Sequence, residues 1–473
     1  MHGKRYPTLR AARIGDVNED SRSPMPLATK RLGALAAAIA ALSLLAGCSG
    51  GTTASTGDGT IPALSKKYTG AKVSLTLWAS NAKIATAVDE FNKAQNKITV
   101  KLVEQAGADT LQKNLRNAVK AGNGPDLFDT QTEQLNSFAS DGIAADLTTA
   151  LSNDKSDFSK ASWSAVTTGG RTFGVPASQI PTFGLANAKV FSDAGLSYPT
   201  TWEQVIADGK KLNERGVKIL NLAGEDYTNY VYMSWQAGAQ WWKLDGDKWT
   251  VNVDSKATAK AADTLQQMID DNIVSKISYA DYNAMMQQYD QGKIAFRTLS
   301  TWQTAGMQTN LKSTLGSWEP SAYPSYEGQQ PSNQSFTRAW AVNDKSKHKE
   351  AAAYTARWLA TNDSSVKALA SPTTGTGWFP AVADPSPYVG ISEPSSLIGD
   401  HADKWDSTVN TAVKQQSADN WTYGPDASAA FAELANWWGK ALAGQIKVSE
   451  IAPHMQKWIV NDMKQQGLTV SGQ

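Results

Sequence analysis

From Val73 onward two periodicities take turns along the chain, and that alternation constrains the fold more than any other feature. Val73-Ser74-Leu75-Thr76-Leu77-Trp78 alternates apolar and polar side chains, the pattern of a half-buried strand. Residues 82–94 follow with Ile84, Ala87, Val88 and Phe91 at helical spacing. Residues 97–104 read as a second strand, and residues 110–120 as a second helix that Gly122 and Gly124 stop. Pro125-Asp126-Leu127-Phe128 opens a third strand. Strands and helices alternating at this spacing predict βαβ units and a parallel sheet. In open α/β sheets ligands bind beyond the carboxyl ends of the strands. That rule points to Trp78-Ala79-Ser80-Asn81 and to residues 129–133.

Further along, Gly174-Val175-Pro176 and Pro181 place two prolines in an apolar stretch, which predicts a crossing segment and not a central strand. Thr201, three residues before Gln204, has the spacing of a capping box. Residues 257–271 are predicted helical, residues 292–297 a strand, residues 339–342 a strand, and residues 347–360 a helix. Residues 371–397 are rich in Pro, Gly and Ser and are expected to be irregular, whereas residues 426–467 are expected to be mainly helical.

With 45 Lys+Arg against 44 Asp+Glu, the chain lacks the basic excess that binding by phosphate neutralisation requires, so no nucleic-acid partner is expected. At 473 residues the chain is too long for one ordinary core, and two or more lobes are expected. A single Cys rules out an intramolecular disulfide framework and a cysteine-based zinc site. His348, His401 and His454 show no paired ligand spacing, so no metal and no cofactor is expected. The 17 Trp residues call for either a large core or work at a surface.

The front end reads as an address. Residues 32–45 form an uncharged apolar run after Lys30 and Arg31, too short for the roughly 20 residues that span a bilayer. A basic start, a short apolar stretch and small residues before a cleavage site make a secretory signal, assigned to residues 1–47. Leu45-Ala46-Gly47-Cys48 resembles the lipobox of bacterial lipoproteins, which implies cleavage before Cys48 and lipidation of its thiol. Residues 1–24 are polar and charged, so translation is expected to start at Met25. Residues 48–69 begin with a Gly/Ser/Thr-rich stretch and are assigned to a flexible tether. The expected location is the extracellular face of the cell membrane, held by lipid.

Five landmarks in order resemble the bacterial extracellular solute-binding proteins of family 1, the carbohydrate-binding class that serves ABC importers. They are the strand ending in Trp78 with Val88-Asp89-Glu90-Phe91-Asn92; Gly124-Pro125-Asp126-Leu127-Phe128; Gly174-Val175-Pro176 leading to Asn187, Phe191-Ser192-Asp193-Ala194-Gly195-Leu196 and Pro199-Thr200-Thr201-Trp202; Gly292-Lys293-Ile294-Ala295-Phe296 leading to Ser300-Thr301-Trp302; and Ala341-Val342 leading to Ser346-Lys347-His348-Lys349-Glu350. The resemblance implies an α/β, two-lobed periplasmic-binding-protein-like fold of type II with a hinge between lobes. It places residues 70–181 with 339–378 in one lobe and residues 182–338 with 379–473 in the other, with crossings near residues 179–183, 338–341 and 377–381. It further implies a sugar or oligosaccharide ligand in the cleft, ABC permease subunits with a separate ATPase as partners, and a monomer. Two departures bear on the ligand: Leu185-Ala186-Asn187 stands where many relatives have Tyr-Asn, and Gln179 stands where an acidic residue is frequent.

Sugars present apolar C–H faces and a rim of hydroxyls, so their sites need flat aromatic platforms plus planar groups that donate and accept. By position in the resemblance, Glu133 is expected to accept from a hydroxyl, and Ser80 and Asn81 to sit beside the ligand. Each also has a plainer reading, as a solvated charge or as loop-to-helix caps. Trp302 is the expected platform. Gln179 lies at the hinge, where it can equally tie backbone. Tyr227 beside Asp226, Trp235 and Trp378 are further candidates, and Arg338 borders the second crossing, where it can pair with a cleft carboxylate instead. Trp358, Trp437, Trp438 and Trp458 fit apolar helical faces and are read as core.

No catalytic residue is expected, and the chain is read as a binding protein. Gly47-Cys48-Ser49-Gly50-Gly51 matches the serine-hydrolase elbow formally but lacks its strand–turn–helix context. Two rivals stay open: a secreted glycoside hydrolase, for which carboxylates are plentiful, and a receptor for a polyamine or peptide.

Overall fold

The computed structural model describes residues 60–329, 337–416 and 421–471. The expected signal peptide, the Met25 start, Cys48 and residues 48–59 of the tether lie outside the described residues.

Strand β1 (Val73–Ala79) buries Leu75, Leu77 and Ala79 on one face, as its alternation predicts. It pairs in parallel with β2 (Ile98–Glu104) on one side and β3 (Leu127–Gln131) on the other. Helix α1 (Ala85–Ala94) returns over this sheet through Ala87, Val88 and Phe91. A 3-10 turn capped by the Asn81 side chain precedes it. Helix α2 (Ala108–Lys120) buries Leu111 and Leu115. The sheet is not wholly parallel, which corrects the expectation. Strand Arg338–Val342 runs antiparallel to β3, and Val175–Ser178 runs antiparallel to it in turn. The reason is topological: the chain leaves this sheet and re-enters it from the other half, so the re-entering strand points the opposite way. Pro176 is tolerated because its strand is the sheet edge, where a missing N–H breaks no central ladder.

The second sheet is antiparallel, with Thr182–Asn187 between Phe296–Ser300 and Trp318–Ser321. The strand expected over 292–297 therefore starts later; Ile294 makes only an isolated bridge to Lys218. The Thr201 cap forms, but Gln204 reaches back to the Thr200 N–H instead of that of Thr201. Gly184 sits where both neighbouring strands close in. A methyl group there would lie 2.6 Å from Ser321 Oγ and 2.7 Å from the Ala322 carbonyl oxygen. Gly184→Ala is thus expected to destabilise by about 1–3 kcal/mol through overpacking, measured as a lower denaturant midpoint.

Each sheet has its own apolar packing. Leu77, Ile84, Phe91, Trp340 and Leu359 belong to the core beside the first. Ile61 and Leu64 join it and the Leu64 N–H donates to Ala150 O at 2.9 Å, so this part of the expected tether over 48–69 is packed, which corrects the expectation there. A larger core in the other half contains Trp202, Trp241, Trp242, Tyr230, Phe431 and Trp438. Most of the tryptophan is therefore structural. Trp438 is core as expected, whereas Trp358, Trp437 and Trp458 are only partly buried against the cores.

Candidate functional site

The carboxyl ends of β1 and β3, the crossing segments and the second sheet converge on one cavity of about 570 Å³. Asn81, Glu133, Gln179, Tyr227, Trp302, Arg338 and Trp378 all line it. Ser80 and Trp235 do not.

Glu133 stands in the first turn of helix α3 (Thr132–Ser140), because β3 runs directly into that helix. It is buried, and its Oε2 has no hydrogen-bond partner. Burial pushes its carboxyl up to about 8, against backbone hydrogen bonding and the charge of Arg338, which pull the other way. The acid is therefore largely neutral at pH 7, and not the solvated charge of the plainer reading.

Gln179 ties the first crossing to the third. Its N–H donates to Phe379 O at 2.8 Å and its Nε2 to Pro380 O at 2.7 Å, leaving Oε1 buried and unpartnered. Asn81 caps the turn after β1, accepting from the Lys83 N–H at 2.9 Å, and also faces the cavity.

Arg338 does pair with a carboxylate, that of Asp129 at the end of β3. Asp129 also accepts from the Ser80 N–H and Oγ, each at 2.8 Å, and Arg338 Nη2 donates to Ser80 Oγ at 2.6 Å. Ser80 is thus spent on this network behind the wall. The Arg338 guanidinium lies 5.1 Å from the centre of the Trp378 ring, which braces that ring at the cavity edge. Trp235 points away into the core and stacks on Trp421 with centroids 5.0 Å apart. Its helix, Thr228–Gln236, presents Thr228, Asn229 and Tyr232 to the cavity instead.

Trp302 stands alone among the described residues as a large apolar side chain left exposed, at 54%. Tyr227 lines the cavity while its far face stacks on Phe431 at 5.4 Å. Burial, then the nearby Glu133 and Asp226, push its phenol far above its ordinary range. Sequence reasoning missed Tyr232, Tyr279, Tyr289, Tyr323 and Arg297, all of which line the cavity. Only Arg297 left a signal, a charge directly after the apolar run Ile294-Ala295-Phe296. Among the described residues no group of three or more His, Cys, Asp or Glu is placed to hold a metal.

Two further hydrogen bonds join residues far apart in sequence near the third helix. Asn136 Nδ2 donates to Tyr423 O at 2.5 Å, and Ser428 Oγ to Gln112 Oε1 at 3.1 Å.

A sheet in each half, chain crossings that bond to one another, and an aromatic cavity at those crossings define the two-lobed type II class of binding protein. The chain belongs to the family of bacterial extracellular solute-binding proteins, whose profile it matches over residues 78–365. One curated relative is the diacetylchitobiose-binding protein DasA of Streptomyces coelicolor, 25% identical over 190 residues, covering 40% of this chain and 41% of that one. Another is an uncharacterised lipoprotein of Streptomyces antibioticus, 30% identical over 183 residues, covering 37% of this chain and 38% of that one. The chain thus spans about two fifths of the length of these relatives. Among solved structures, the galacto-N-biose/lacto-N-biose I-binding protein of a Bifidobacterium longum ABC transporter, in complex with lacto-N-biose, matches with a TM-score of 0.74 at 24% identity, over 86% of this chain and all of that one. The sugar-binding protein MalE of Xanthomonas citri gives 0.69 at 14%, over 84% of this chain and 98% of that one. At these identities the solved structures establish a shared fold.

Proposed function

We propose that this chain is the receptor of an ABC importer, capturing a sugar or oligosaccharide in the cavity and delivering it unaltered to membrane permease subunits served by a separate ATPase. The observation that carries this reading is the chemistry of the cavity wall. An exposed indole, Trp302, stands beside further rings, with Glu133 Oε2 and Gln179 Oε1 waiting for partners. Rings suit the C–H faces of a pyranose, and unpartnered polar atoms suit its hydroxyls. The relatives' descriptions as sugar-binding proteins support it. The proposal includes a monomer anchored through lipid on Cys48 at the outer membrane face, which the lipoprotein relative supports. It also includes lobes of residues 70–181 with 339–378 and 182–338 with 379–473, moving about the crossings so that ligand favours the closed state.

The test is titration of the purified protein with a saccharide panel, read by calorimetry and thermal shift. A saccharide that raises the melting temperature and is recovered intact supports the reading. No shift with any saccharide at millimolar level removes the sugar assignment, a response to amines or peptides alone moves it to that rival, and cleaved product moves it to the hydrolase. Trp302→Ala is expected to weaken binding of the responding sugar about tenfold or more, since a stacked ring is lost. Its folding stability should stay within about 0.5 kcal/mol, because the ring is exposed.

A further inference from the structure

Strand Phe296–Ser300 forms part of the cavity wall, and it carries a charge between Phe296 and Thr298. Arg297 pairs in register with Leu185 and is only 6% exposed. Its guanidinium lies 5.6 Å from the centre of the Tyr289 ring, and its Nη1 is buried without a hydrogen-bond partner. Among the described residues no carboxylate is within ion-pair distance of it. A guanidinium cannot shed its proton in a protein, and burying a cation without a counter-charge is unfavourable.

The other charged side chains that line the cavity have hydrogen-bond or ion-pair partners of their own, two of them the carboxylates Asp226 and Glu225. Asp226 Oδ1 accepts from the Thr228 N–H at 3.0 Å and its Oδ2 from the Tyr279 hydroxyl at 2.9 Å. Glu225 Oε1 accepts from Ser278 Oγ at 2.8 Å. Arg338 is held by Asp129. Burial keeps Glu133 largely neutral at pH 7, so it neither satisfies Arg297 nor repels an anion strongly.

Arg297 lines the cavity, so a ligand there can supply its counter-charge. Resting on the receptor reading above, we propose that the natural solute is an acidic saccharide carrying a carboxylate, which Arg297 binds. Two carboxylate oxygens match the fork of a guanidinium, whereas a hydroxyl would leave the cation uncompensated.

The experiment is calorimetric titration at neutral pH with glucuronic and galacturonic acids and their short oligomers, against glucose and galactose oligomers of equal length. Uronates are expected to bind about tenfold or more tightly than their neutral counterparts, with the advantage shrinking as salt rises. Arg297→Gln should erase that preference, and Arg297→Lys should keep part of it. Should Arg297→Gln not fold, the comparison of the two sugar series on the unaltered chain still decides. Neutral sugars binding as tightly as uronates would overturn this inference and leave the receptor reading standing. Competition by inorganic phosphate but not by uronates would overturn the carboxylate assignment. Binding of neither series would overturn this inference, and the wider saccharide panel then decides the receptor reading.

Discussion

Asp129→Ala should destabilise the folded protein by about 3–5 kcal/mol and weaken ligand capture with it. Asp129 is fully buried and gathers the Ser80 N–H, the Ser80 hydroxyl and the Arg338 guanidinium onto one carboxylate. Those donors come from the end of β1 and from the strand that re-enters from the other half, so the carboxylate pins a crossing to the sheet. Removing it leaves Arg338, with a side chain only 16% exposed, without its counter-charge, and leaves the Ser80 donors without an acceptor. The ring of Trp378 then loses the fixed cation that braces it at the cavity edge. Asp129→Asn keeps the shape and an acceptor but not the charge, so its loss should fall between that of alanine and none. The double change Asp129→Leu with Arg338→Met should recover a substantial part of the stability lost by Asp129→Ala, because no unpaired charge remains. Denaturant unfolding of the variants measures this. A loss under about 1 kcal/mol for Asp129→Ala would mean that water or side-chain movement serves Arg338 as well as Asp129 does.

Local rules in the sequence reach far in the first half of the fold and less far at the site. The alternation over 73–78 and the helical spacing of Ile84, Ala87, Val88 and Phe91 place β1 and α1 nearly where they lie, since both faces of each element are settled by burial within its own neighbourhood. The return strand Arg338–Val342 was legible as a strand, but its direction was not, because direction depends on where the chain has travelled in the preceding 150 or so residues. The same limit separates Trp302 from Trp235. Both are tryptophans close to a helix terminus, yet one ring is left open at the cavity and the other stacks on Trp421, a partner far away in sequence. Ser80 and Arg338 were both read as ligand candidates, and the structure shows them hydrogen-bonded to each other and to Asp129. The tyrosines of the second wall come from separate helices, turns and loops, so no spacing in the sequence gathers Tyr232, Tyr279, Tyr289 and Tyr323.

Stability is expected to fall as pH rises from about 5 to about 8, opposite to the usual acid sensitivity of carboxylates. Two buried acids set this slope. Burial raises Glu133 from 4.5 to about 8, and burial raises Asp426 from 3.8 to about 7 despite backbone hydrogen bonding and the nearby Trp242 indole N–H, which favour its anion. Between each pair of values the unfolded chain has lost the proton and the folded one keeps it. The folded state then binds more protons, so its stability drops with rising pH. The contribution of Glu133 is complete below about 4.5 and gone above about 8, and its shift corresponds to about 5 kcal/mol across that window. At the acid end a different group takes over. Although desolvation opposes it, hydrogen bonds from the Lys312, Thr314 and Ser313 N–H groups hold Asp290 below its ordinary value, so its contribution is lost only as pH falls through that lowered range. Melting temperature should therefore be highest in mildly acid solution. Glu133→Gln keeps the shape, carries no titrating proton, and should flatten the slope, matching the parent near pH 5 and exceeding it at pH 8. Asp426→Asn should do the same to a lesser degree, its effect on the slope confined below about pH 7 and its gain over the parent constant above that. Thermal melts of the three proteins across this range check it. A parent whose melting temperature climbs from pH 5 to pH 8, or a Glu133→Gln variant with the parent's slope, would show that water or a rearranged side chain solvates the Glu133 anion in its pocket.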